Sequence, residues 1–171
     1  RIEHVQIMHP DDINRLAKLD IIASMQPVHA TSDYEVADRY WGDRCHWAYN
    51  PRIQLDQGVT VAFGSDAPID PFEPLPNIYA AVSRRRLDGS PGEDGWYPTA
   101  RVTLEEAIQG FTLGPAYASS METRLGRLAP GYLADLIVLD RDIFSGDVDK
   151  LSETKVNATM VGGVWRYGGI G

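Results

Sequence analysis

The chain has 171 residues, 43% apolar and 23% charged, enough to bury roughly 70% of its unfolded surface as one compact domain or a domain with a small appendage. With 16 basic against 24 acidic side chains its formal charge is -8, a balance that repels phosphate backbones and anionic lipid heads, so neither nucleic acid nor a membrane is an expected partner. The single cysteine, Cys45, allows no internal disulfide, and no run approaches the roughly 18 to 20 apolar residues of a spanning helix, so a cytoplasmic, reducing setting is expected.

Arg1 to Ile7 reads as a strand already under way, from which further elements are expected upstream. Pro10-Asp11-Asp12 then places a proline and two acids at a helix start, and Ile13, Leu16 and Ala17 keep a helical stripe. Ile21 to Gln26 is a buried-strand run before Pro27. A helix is expected over 33–41, a short strand over 46–50 and a helix over 51–57 stopped by Gly58. Val59 to Phe63 is the clearest strand, β-branched and apolar, leaving through Gly64-Ser65-Asp66. This alternation predicts βαβ units and a parallel sheet, with function at the C-terminal strand ends.

Four prolines stiffen 67–76, and a helix is expected over 75–87. Its Arg84-Arg85-Arg86 end reads as a solvated terminus that complements the helix dipole. Residues 88–101 form an irregular excursion, either a lid or a packing loop. Thr103-Leu104-Glu105-Glu106 has capping-box spacing, and a second short helix is expected over 112–121 around Gly114-Pro115. From Gly126 the pattern becomes short strands with hairpin punctuation, a small β layer. The domain expectation is 1–122 for the α/β part and 123–171 for the β part.

Three polar residues stand where this topology puts active sites: His4 ending the first strand, His29 past the second and Asp66 just past the clearest one. Singly each has a bland reading, a satisfied histidine or an Asx-turn aspartate. Together they are ligand types that hold a catalytic divalent metal and leave a position open for water. His9 and His46 match no site motif. A Cys45-His46 catalytic pair is disfavoured, because neighbours on a strand face opposite ways. Trp41, Trp47, Tyr49, Trp96 and Tyr97 can wall a substrate pocket or fill the core.

Arg1-Ile2-Glu3-His4, Gln26-Pro27-Val28-His29-Ala30-Thr31-Ser32-Asp33, Ala62-Phe63-Gly64-Ser65-Asp66-Ala67-Pro68 and Leu125-Gly126-Arg127-Leu128-Ala129-Pro130-Gly131, continuing to Asp140, together resemble the amidohydrolase superfamily. The subgroup resembled contains N-substituted formamide deformylase. The resemblance implies the second half of a (β/α)8 barrel with a C-terminal β part. It matches His4, His29 and Asp66 to metal ligands at the fifth, sixth and eighth strands, with zinc the expected ion, and Asp66 and His29 to catalytic roles. The implied partners are a small amide-like substrate and an N-terminal barrel half carrying the remaining ligands. A half-barrel leaves open edges, so a homo-oligomer is expected. Asp66 can shuttle a proton from metal-activated water to the departing amine, while the metal or a histidine steadies the oxyanion. Two other readings remain: a non-catalytic fragment serving structure or self-association, and a metal-binding protein without turnover.

Overall fold

A computed structural model describes residues 1–169. Its first layer is a parallel sheet of β1 (Ile2–Glu3), β2 (Ala23–Met25) and β3 (Val61–Phe63) in that order. Ile2 pairs with Ala23, Ala23 with Val61 and Met25 with Phe63. Between the strands run α1 (Arg15–Lys18), α2 (Pro27–Ser32), α3 (Tyr34–Trp41) and α4 (Pro51–Asp56), followed by α5 (Pro74–Ser83) and α6 (Leu104–Ala118). An antiparallel sheet of β4 (Leu136–Leu139), β5 (Val156–Val161) and β6 (Val164–Tyr167) completes the described chain. The structure is α/β with one parallel and one antiparallel sheet. The last two residues of the expected β part, Ile170 and Gly171, lie outside the described residues. Among the described residues no helix is long and apolar enough to cross a membrane.

The core forms where the apolar faces of β2, β3, α5 and α6 meet, around Met25, Val61, Phe63, Ile78 and Ala107. Leu151, in a 3-10 turn over Val148–Glu153, belongs to the same cluster, so the β layer shares the core of the parallel sheet. Helix α6 lies close against β3 because Gly110 and Gly114 leave room. A Cβ on Gly114 would meet the Val61 carbonyl and stand 2.9 Å from Ala62 Cα, and one on Gly110 would meet the Phe63 ring.

Several expected elements differ. The first strand stops at Glu3 rather than Ile7, because His4 and Val5 take φ of 68° and 42°. Pro27 opens α2 directly after β2, with its missing N–H at a position that needs none. The strand expected over 46–50 is a 3-10 turn over Gly42–Trp47, leaving only an Ile7–Ala48 bridge. Instead of giving way to a second helix over 112–121, α6 runs on through Pro115 to Ala118, held by its packing on β3. The arginine run is not a solvated terminus. Arg84 is 1% exposed, Arg85 pairs with Asp149 and Arg86 with Glu35. The excursion after it packs inward, burying Trp96 and Ala100.

Candidate metal centre and its cavity

Each candidate ligand is placed by a strand that has just ended. His4 follows β1 at its positive-φ reversal, and Asp66 follows β3 with φ 58°. His29 lies inside α2 and not in a loop. That helix is pinned at both ends from the α5 side. Buried Asn77 of α5 accepts the Val28 amide through Oδ1, 3.2 Å, satisfying one of the donors a helix start leaves open. At the other end Arg86 donates to the carbonyls of Thr31 and Ser32, 2.7 and 3.0 Å.

The structure brings all three together. His4 Nδ1 lies 4.0 Å from Asp66 Oδ2, and His29 Nε2 lies 3.9 Å from the same oxygen. One donor atom from each residue falls within 4.8 Å of the others, and the two imidazoles stack with centroids 5.8 Å apart. His29 Nε2 is buried without a hydrogen-bond partner, an arrangement that normally costs free energy. Ligands at about 2.1 Å from one ion stand roughly 3 to 4 Å apart. The separations from Asp66 stand at the upper edge of that range and the set as a whole spans up to 4.8 Å, a slightly open arrangement whose chemistry, two imidazoles with a carboxylate, is a donor set suited to a divalent ion such as zinc. His4 Nδ1 meanwhile stands 2.9 Å from Gln26 Oε1; an amide oxygen only accepts, so Nδ1 carries the proton in this bond, which fixes the ring and leaves His4 Nε2 as the nitrogen with a free lone pair.

Apart from Tyr49, one of the five aromatics considered for a pocket wall, sequence reasoning missed the surrounding groups. Asp70, four residues after Asp66, places Oδ2 3.3 Å from His29 Nε2. Burial pushes its carboxyl up, His29 pulls it back, and Asp33 and Asp66 add to the rise. Gln6 Nε2 donates to the Tyr49 hydroxyl at 2.6 Å, which in turn donates to Asp33 Oδ2 at 2.7 Å. Burial pushes the Tyr49 phenol above its ordinary range. His4, Gln6, His29, Asp33, Tyr49 and Asp70 line one cavity of about 420 Å³. The sequence held only faint signals for these: an aspartate at a helix start and another in a proline-rich loop.

The remaining candidates lie elsewhere. Of the five aromatics only Tyr49 reaches this cavity. Trp41, Tyr49, Trp96 and Tyr97 pack with Cys45 and Ala37 in a second apolar cluster, and Trp47 borders a separate surface depression with Ile7 and Met8. His9 and His46 are exposed away from the three ligands. Cys45 and His46 share a 3-10 turn rather than a strand. Burial pushes the Cys45 thiol up to about 11, the opposite of what a nucleophile needs.

The amidohydrolase family profile matches residues 1–167. The chain is 35% identical over 169 residues to N-substituted formamide deformylase of Arthrobacter pascens, covering 98% of this chain and 30% of that protein. It is also 35% identical over 172 residues to Protein LONG AFTER FAR-RED 3 of Arabidopsis thaliana, 98% of this chain and 28% of that one. The chain thus spans about a third or less of these relatives' length. Among solved structures it resembles a metal-dependent hydrolase from Pyrococcus furiosus, with TM-score 0.65 and 31% identity over 77% of this chain and 26% of that one. An Arthrobacter aurescens atrazine chlorohydrolase complexed with zinc and atraton shares the fold at 22% identity and TM-score 0.66, covering 97% of this chain and 35% of that one.

Proposed function

Because the chain belongs to the amidohydrolase family, we propose that it is the second barrel half, 1–122, and the C-terminal β part, 123–171, of a cytoplasmic metal-dependent hydrolase that cleaves an amide-type C–N bond of a small molecule. The observation that carries this reading is the convergence of His4, His29 and Asp66, with the buried His29 Nε2 making no hydrogen bond although carboxylates of Asp66 and Asp70 stand 3.9 and 3.3 Å away. In this reading His4, His29 and Asp66 hold the ion, and an N-terminal half supplies the remaining ligands. When bound, zinc supplies a water acidified toward neutral pH and a Lewis acid for the carbonyl.

The chain's own residues do the rest. Asp66 presents a carboxylate that takes the proton of the attacking water and returns it to the departing amine. Gln26 holds the His4 ring, and Asn77 and Arg86 hold the helix that carries His29, so the donors are set before substrate arrives. The N-substituted formamide acted on by the Arthrobacter pascens relative supports a small N-substituted amide as substrate. The test is made on the full-length protein, by metal analysis and by hydrolysis of a panel of N-substituted formamides and acetamides. Stoichiometric metal with turnover lost on chelation and restored by zinc is expected. Full turnover without metal would overturn the proposal.

A further inference from the structure

We infer that Asp33 is a specificity-determining carboxylate that pairs with an ammonium group carried by the substrate, with Tyr49 as its positioning residue; this rests on the hydrolase reading of the same cavity. Asp33 stands at the N-cap of α3, where an aspartate normally spends its carboxylate on the first free amides of the helix. Here it makes no such bond. The side chain accepts the Tyr49 hydroxyl through Oδ2 instead, and Oδ1 takes no hydrogen bond among the described residues.

The Tyr49 hydroxyl is held in place to donate to this carboxylate. It is 4% exposed, and its one hydroxyl proton is committed to Asp33 while its oxygen accepts from Gln6. It therefore has no proton left for a substrate. Its backbone sits at φ 46°, held where the carbonyl accepts from Arg84 Nη1 at 2.7 Å. Arg84 is itself 1% exposed and donates through Nε to Trp96 O. A buried strut thus ends at a carboxylate lining the cavity of the candidate metal centre.

Charge selects the ligand. The residues lining this cavity include Asp33 and Asp70 but neither lysine nor arginine. Asp70 is 3.3 Å from His29 Nε2 and so faces the ion position, which leaves Asp33 as the acid available to substrate. A carboxylate-bearing amide would meet the like charge of Asp33 on this wall, whereas an ammonium group would meet its complement.

The experiment uses the full-length, zinc-loaded protein and two matched pairs: N-(4-aminobutyl)formamide with N-pentylformamide as substrates, and the corresponding methanesulfonamides as inert ligands followed by calorimetry. The ammonium member should be favoured about tenfold or more in kcat/KM and in Kd. In Asp33→Asn, which can still accept the Tyr49 proton but lacks the charge, the ratio should fall toward one. Tyr49→Phe should lower it severalfold, and it decides the matter if Asp33→Asn fails to fold. A ratio unchanged in these variants, or absent in the wild type, overturns the assignment. Formamide turnover with no ammonium preference would sink Asp33 and spare the hydrolase reading. Asp33-dependent sulfonamide binding without turnover would do the reverse.

Discussion

His4 and Asp66 sit at positive φ, 68° and 58°, a region that histidine, aspartate and asparagine enter more readily than other side chains. Asp66→Asn in the full-length protein is therefore expected to keep the local backbone while removing a group that can carry a proton. Turnover should fall roughly 100-fold or more, and steady-state rates near wild type would remove Asp66 from the mechanism. A second expectation concerns Cys45. Its thiol is held neutral by burial up to about 11, whereas an unfolded thiol ionises near ~8.5. Between those values the folded state binds the extra proton, so stability is fully present below about pH 8.5 and declines as pH rises toward 11. Urea midpoints across that window should fall for the wild type and fall less for Cys45→Ala. Equal slopes would show that the thiol is not shielded. Arg84 shows the limit of charge burial: desolvation pulls it down to about 9, which leaves the guanidinium charged at neutral pH beneath two carbonyls and the Trp96 ring.

At the scale of elements, what could be read from the sequence was whatever local chemistry decides. The Thr103 box is formed as its spacing implied, with Thr103 Oγ1 accepting the Glu106 amide and Glu106 accepting the Thr103 amide. Val61–Phe63, the Pro51–Asp56 helix and the late antiparallel hairpins likewise follow from β-branching, proline and glycine placement. What could not be read is what packing decides. Nothing in Gly114-Pro115 announces that a helix continues through it, because the compensation lies in β3, about fifty residues earlier. Nor does Arg84-Arg85-Arg86 announce one buried member. The candidate ligands were legible because each follows a strand end, and Tyr49 was legible only as one of five aromatics that could wall a pocket or fill the core, while Asp33 and Asp70 were not, since the chain path after the strands brings them in. Two substitutions separate these influences. Thr103→Ala should cost about 1 kcal/mol by chemical denaturation. Gly114→Ala, which sets a methyl against the Val61 carbonyl and Ala62, should cost about 2 kcal/mol or more. A Gly114→Ala midpoint within error of the wild type would mean that α6 and β3 are not in close contact.

Across the whole molecule, β1 and β3 each have only one neighbour in the parallel sheet, leaving a row of unpaired backbone donors and acceptors on either side among the described residues. On the proposed reading, in which an N-terminal half supplies further ligands, the chain by itself is expected to form dimers or larger species, to bind zinc weakly and to hydrolyse no amide, because three donors alone keep freedom that binding must remove. Light scattering and metal analysis after dialysis check this, and a monomer holding one equivalent of zinc would contradict it. The three consecutive arginines radiate from the end of α5: Arg84 inward to Tyr49 and Trp96, Arg85 to Asp149 beside the β layer, Arg86 to α2 and Glu35. To a protease the consequence is an inversion. Trypsin finds its densest run of targets at 84–86, yet cleavage needs the backbone there to open locally, and all three side chains would first have to let go. Early cuts should fall at exposed Lys18, Arg39, Arg44 and Arg127, and timed digests read by mass spectrometry should show 84–86 intact until the fold itself is lost.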